Sequence, residues 1–70
     1  MIGRIKRFGY DTGYGFIRES QSHKDYYFHV TDSESPKCNI IPGVRVQFDT
    51  AQVTRPNGKP GVKAVHVRVL

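Results

Sequence analysis

Three aromatic rings and one imidazole recur at alternate positions in two short stretches, Tyr14-Gly15-Phe16-Ile17-Arg18 and Asp25-Tyr26-Tyr27-Phe28-His29-Val30. On an extended strand, residues two apart share a face. Tyr14, Phe16 and Arg18 therefore point one way and Gly15 and Ile17 the other, while Tyr27 and His29 oppose Tyr26, Phe28 and Val30. Ile17, Phe28 and Val30 are the more apolar set and are assigned to the core, which turns Tyr14, Phe16, Tyr27 and His29 outward. Soluble domains scatter their exposed rings singly, so a cluster on one face calls for a ligand. Unpaired bases are the natural one, because each offers a flat π-face and each stack is worth about 1–3 kcal/mol. With Phe8 added, the candidate stacking residues are Phe8, Tyr14, Phe16, Tyr27 and His29. Lys6, Arg7, Arg18, Lys59, Lys63 and Arg68 border them and are expected to hold phosphates. Gly13 and Gly15 are expected to let a nucleotide approach the backbone.

The charge balance agrees with a polyanionic partner. Eleven Lys and Arg against six Asp and Glu leave a net charge of +5 over 70 residues, and the sequence pI is near 9.7. A chain this short is expected to be one domain, residues 1–70, with a thin core. Cys38, the one cysteine, makes no intramolecular disulfide, which favours a reducing compartment. The basic opening residues are not followed by an apolar run long enough for a signal peptide, nor does any stretch reach the ~18 apolar residues of a membrane helix. A cytoplasmic location is the default expectation.

Other chemistries find little to stand on. Asp11, Glu19, Asp25, Asp32, Glu34 and Asp49 fall in turns and at strand ends and make no acid-base constellation. His23, His29, His66 and Cys38 lack metal-ligand spacing. Neither an enzyme, a metal, a cofactor nor a small-molecule substrate is expected. Phe16 or Tyr27 alone would be read as completing a small core, and the basic runs alone as solvated surface; the set together carries the reading.

The elements that must position these residues are strands. No helix-period stripe of useful length is present, and turn signals divide the chain into short β-like pieces: about Ile2 to Phe8, Tyr14 to Arg18, Asp25 to Val30, Val44 to Asp49 and Val62 to Leu70. Asp11-Thr12-Gly13 and Pro42-Gly43 read as turns, and residues 55–61 as the strongest turn signal of all. Glu19 to Lys24 reads as a loop, and Thr31 to Pro42 as an irregular connection with room for one helical turn. Strict alternation puts Val44, Val46 and Phe48 inside, and likewise Val65, Val67 and Val69, leaving Ala64, His66 and Arg68 outside.

The chain resembles a cold-shock domain, the five-stranded OB-type barrel that binds single-stranded DNA and RNA. The family's opening Gly-x-Val-Lys-Trp-Phe-Asn is matched by Gly3-Arg4-Ile5-Lys6-Arg7-Phe8-Gly9, its first nucleic-acid motif by Thr12-Gly13-Tyr14-Gly15-Phe16-Ile17, and its second by Asp25-Tyr26-Tyr27-Phe28-His29-Val30. The terminal Gly-Pro-Gln-Ala-Ala-Asn-Val is matched more weakly by residues 61–67. The resemblance spans nearly the whole chain, and the ordered pair of motifs is its strongest part. It implies stacking at Phe8, Tyr14, Phe16, Tyr27 and His29 and a backbone contact at Lys6. Departures are Arg7 for the family's tryptophan, Val30 for its phenylalanine, Lys63 for its glutamine, and no glycine-aromatic segment in residues 35–39. These imply fewer base contacts and more phosphate contacts, hence less sequence selectivity and a stronger salt dependence. Gly-Tyr-Gly-Phe also resembles a motif of the RNA-recognition module, but that fold needs two helices and the opposite motif order.

The expectation is an all-β, five-stranded antiparallel OB-type barrel that binds single-stranded RNA or DNA as a monomer and keeps strands unpaired. The alternative is a barrel whose aromatic face docks proteins or a second copy of itself.

Overall fold

The computed structural model describes residues 1–54, 56 and 58–70. The runs of β-branched and aromatic residues form five strands, β1 Ile2–Phe8, β2 Tyr14–Glu19, β3 Asp25–His29, β4 Arg45–Thr54 and β5 Pro60–Val69. They close into a barrel in the order β1-β2-β3-β5-β4. Four seams are antiparallel as expected. The seam between β3 and β5 is parallel and has one registered pair, Tyr27 with Lys63, which corrects the all-antiparallel expectation. Parallel neighbours need a long crossover; the two 3₁₀ turns, Val30–Asp32 and Lys37–Asn39, together with β4 supply it. Of the turn expected over 55–61, Arg55 and Asn57 lie outside the described residues. No helix among the described residues is long and apolar enough to cross a membrane.

Ile17, Phe28, Val46, Phe48 and Val67 fill the core as their alternation predicts, Ile5 is buried with them, and Val30, Val44, Val69 and Tyr26 pack against them partly buried. Phe8, Ile40 and Ala64 join them unexpectedly. Two extra residues explain Phe8 and Ala64. In β1 the register advances from Ile5 opposite Ile17 to Arg7 opposite Phe16, so Lys6 is inserted, Lys6 and Arg7 both face outward, and Phe8 turns in. In β5 the register runs from Gln47 opposite Arg68 to Asp49 opposite Val65. There His66, at φ 51°, sits in the inserted stretch, so Ala64 is buried and Val65 only half-buried. Ile40 comes from the irregular connection, where no alternation marks it.

Phe8, Gly15 and Phe28 form one inward row across three strands. Because Gly15 has no side chain, the flanking rings close over it with centroids 5.8 Å apart and planes 16° from parallel. A Cβ at Gly15 would stand 2.7 Å from the Arg7 carbonyl oxygen, 2.8 Å from Phe8 Cδ1 and 2.9 Å from Phe28 Cε1. Gly15 therefore serves the core, a role the sequence reading did not assign to it, and its backbone also lines the outward concavity beside Tyr14 and Phe16.

Glu19 ends β2 facing inward and is buried. Its carboxylate accepts the backbone N–H groups of Gln21 and Ser22 and the Ser22 hydroxyl. The Gln21 bond, opposed by burial and assisted by Ser22, holds the carboxyl below its ordinary 4.5. The loop after β2 is thus tied to the barrel end.

Gly15→Ala is expected to lower stability by about 1–3 kcal/mol through overpacking, read as an earlier urea midpoint. An unchanged midpoint would show that the Phe8–Gly15–Phe28 row is not closely packed.

Candidate nucleic-acid interface

The β2–β3 ladder lays the outward residues in ordered rows. Tyr14 lies opposite His29, Phe16 opposite Tyr27, and Arg18 opposite Asp25. In the first row the rings meet edge to face, with centroids 4.6 Å apart at 65°. The second row continues on both sides, through Arg7 on β1 and Lys63 on β5. The Arg7 guanidinium carbon sits 4.8 Å from the Phe16 ring centroid, within cation–π range. Tyr14 is 54% exposed, whereas Phe16, Tyr27 and His29 are half-buried.

His29 is held from its own backbone turn. The Thr31 N–H donates to Nδ1 at 3.3 Å, the Thr31 hydroxyl lies 2.9 Å from Nδ1, and the His29 N–H donates to Asp32 Oδ2 at 3.1 Å. A ring nitrogen that accepts an N–H carries no proton, so these contacts assign the neutral ring's proton to Nε2. Gly13, at φ +79°, leaves that nitrogen room: a Cβ there would stand 2.9 Å from Nε2.

Phe8 differs from the other stacking candidates. It is 8% exposed, one face covered by Phe28 and its ring set edge-on to Tyr10 at 5.1 Å. It contributes only to the wall of an open concavity of about 340 Å³, shared with Arg7, Thr12, Tyr14 and Phe16.

Most of the basic candidates already have acidic partners. Lys6 Nζ and Arg18 Nε donate to the two oxygens of Asp25 at 2.8 and 3.2 Å. Lys63 Nζ donates to Asp32 at 3.1 Å and is the least exposed of them. Arg68 lies 3.6 Å from Glu34. Five positions separate Arg68 from Lys63 along β5, roughly 16 Å at a strand's rise, so Arg68 stands apart from the aromatic rows. Lys59 is exposed just before β5.

Sequence reasoning missed Tyr10, which is 47% exposed, packs against Phe8, and donates its hydroxyl to the Ile40 carbonyl at 2.7 Å. Its place two residues after Phe8, across a glycine, was the available signal. The two clamping carboxylates, Asp25 and Asp32, were also missed as such, because the pairings depend on register and not on spacing. Among the described residues, no group of three or more His, Cys, Asp or Glu could hold a metal ion.

The sequence profile of the 'cold-shock' DNA-binding domain matches residues 1–70. Over 69 residues the chain is 35% identical to a cold shock-like protein of Aquifex aeolicus (strain VF5), an alignment covering 97% of this chain and 91% of that one. It is 34% identical over 68 residues to the cold shock-like protein CspH of Salmonella typhi, covering 96% and 90% of the two chains.

Lys6 first, and Arg18 with it, holds the Asp25 carboxyl below its ordinary 3.8 against the opposing effect of burial. A lowered folded value means that this clamp stabilises the fold above the ordinary carboxylate range and is lost as pH falls through the lowered value. Lys6→Ala is expected to move the Asp25 titration, followed by carboxyl carbon NMR, upward. A native titration at or above 3.8 would show that no clamp exists.

Proposed function

The chain belongs to the cold-shock domain family, whose general activity is nucleic-acid binding, and from that premise we propose that it binds single-stranded RNA or DNA across the outward face of β1, β2 and β3 with little sequence selectivity. One observation supports this above the others. Arg7, Phe16, Tyr27 and Lys63 make an unbroken transverse row over four strands, with rings in the middle and a cation at each end. Bases laid on the rings would leave the sugar-phosphate backbone running beside the cations. Tyr14 and His29 extend the platform by one row, and the Nε2–H of His29 is a donor for a base edge.

The reading includes a mode of action. A protein that takes up unpaired strands shifts a pairing equilibrium by mass action, so it acts as an RNA chaperone without ATP or a reactive group. Transcription antitermination and translation are the processes such an activity reaches. The acting unit is the single domain of residues 1–70, a monomer working in the cytoplasm.

Electrostatics sets the strength. Phosphates that approach Lys6 and Arg18 compete with Asp25, and those that approach Lys63 compete with Asp32. A phosphate that displaces a carboxylate meets a cation already partly neutralised, so fewer counterions are released than when an unpaired cation is neutralised. The salt dependence should therefore be shallower than the number of basic candidates implies, each phosphate neutralised contributing about 0.7 to the logarithmic slope on a single strand.

Fluorescence anisotropy with labelled single- and double-stranded oligonucleotides at two salt concentrations tests the reading. Single-strand binding that partly survives high salt is expected. Equal binding to duplex that vanishes with salt would instead turn the aromatic face over to protein docking or self-association. Tyr14→Ala and Tyr27→Ala should each weaken single-strand binding by about 1–3 kcal/mol while remaining folded; two folded variants with native affinity would exclude this face. Asp25→Asn should tighten binding and steepen its salt dependence, since Lys6 and Arg18 lose their competitor. Weaker binding in that variant would mean that the carboxylate itself contacts the nucleic acid.

A further inference from the structure

Beyond Arg18 the outward face does not end in neutral surface. Arg4 on β1 lies directly opposite Arg18 on β2, and both are exposed. Like charges at opposed positions destabilise a sheet, and among the described residues no carboxylate pairs with Arg4. Among the described residues its one side-chain hydrogen bond, from Nη1, goes to the Gly43 carbonyl at 2.9 Å. Arg18 gives only Nε to Asp25, at 3.2 Å. A guanidinium carries about five N–H donors, so both side chains keep most of theirs unused. They line a concavity of about 280 Å³ together with Glu19, Ser20 and His23. The carboxylate in that lining is already committed, because Glu19 accepts the N–H groups of Gln21 and Ser22 and the Ser22 hydroxyl.

We propose that this concavity is a phosphate subsite, built by Arg4 and Arg18, which carries a bound single strand one step past the aromatic rows. The inference rests on the single-strand reading above and adds a site that stacking alone does not require. Tyr14, Phe16 and Arg18 are successive outward positions of β2, so Arg18 follows Phe16 by about 7 Å, a spacing suited to one extended nucleotide. A strand whose bases lie on Phe16 and Tyr27 would bring its next phosphate to the two guanidinium groups. Guanidinium forks suit a phosphate, which offers acceptor oxygens to both at once. The repulsion between Arg4 and Arg18 would be relieved on binding.

Oligothymidylates of about 4 and about 10 nucleotides, near the lower limit and the middle of the usual range for such barrels, separate this subsite from the platform. For the native protein, affinity should rise with length. Arg4→Gln should leave the short oligonucleotide's affinity unchanged and lower that of the longer one about two- to fivefold. Its salt slope should fall by about 0.7 for the longer one alone. Equal losses on both lengths would reduce Arg4 to a general contribution to the field and overturn the subsite, as would native affinity on both. Inorganic phosphate at matched ionic strength is expected not to compete selectively; if it abolished only the length-dependent gain, the concavity would belong to the free anion. Failure of the native protein to bind either oligonucleotide would instead remove the single-strand reading itself. Because Arg4→Gln removes a like-charge pair, its thermal midpoint should hold or rise, which guards against a folding artefact.

Discussion

Side chains along a strand alternate between two sides, so each ring in this barrel is committed either to the core, like Phe28 and Phe48, or to the outward face, like Tyr14 and Phe16. The inserted Lys6 in β1 reconciles that constraint with the sequence. Unbroken alternation from Ile5 would aim Arg7 into the core and Phe8 at water. With one residue added, Phe8 joins Phe28 over Gly15, and Lys6 and Arg7 emerge side by side. The same displacement that completes the core puts one cation over Phe16 and another against Asp25. The insertion around His66 does the equivalent for β5, where Ala64 and Val67 both reach the interior.

The outward face then separates two kinds of work. The ladder sets which way each ring points, and His29 is held further by Thr31 and Asp32. The cations are long, exposed and, in most cases, leashed to a carboxylate. Asp25 and Asp32 keep Lys6, Arg18 and Lys63 beside the rings without leaving their full charge to the solvent. The rings are thus placed by strand register, whereas the cations are placed by ion pairs that an anion could exchange.

Much of this was legible in the sequence. The two motifs alternate cleanly, so the faces of Tyr14, Phe16, Tyr27 and His29, and the burial of Ile17 and Phe28, followed from period two. What failed was parity beyond an inserted residue. The burial of Phe8 was not foreseen, and Ala64 was placed on the wrong side, because nothing at Lys6 or His66 advertises a bulge; both are ordinary strand-compatible residues. Ile40 was missed since a residue in an irregular segment has no neighbours from which to infer a face. Gly15 was singled out for the outward side of the sheet, and its part in the core beneath went unread. The ion pairs were not readable, because Lys6 and Asp25 are brought together by two registers, neither of which is encoded locally.

The seam between β3 and β5 remains distinctive. The neighbouring β2–β3 and β4–β5 seams are extended antiparallel ladders, whereas here the registered contact is Tyr27 with Lys63, strengthened by the bond from Lys63 to Asp32. Past β3 the closure is continued by the Ser33–Val67 bridge, by the Glu34 N–H donating to the Val67 carbonyl and by the Val69 N–H donating to Ser35 Oγ, so a short pairing and irregular backbone, not a long regular ladder, close the cylinder. Breathing there would part Tyr27 from its cationic neighbour while leaving the β1–β2–β3 sheet whole. Amide protons along that line would then trade with solvent sooner than those of the β1–β2 ladder.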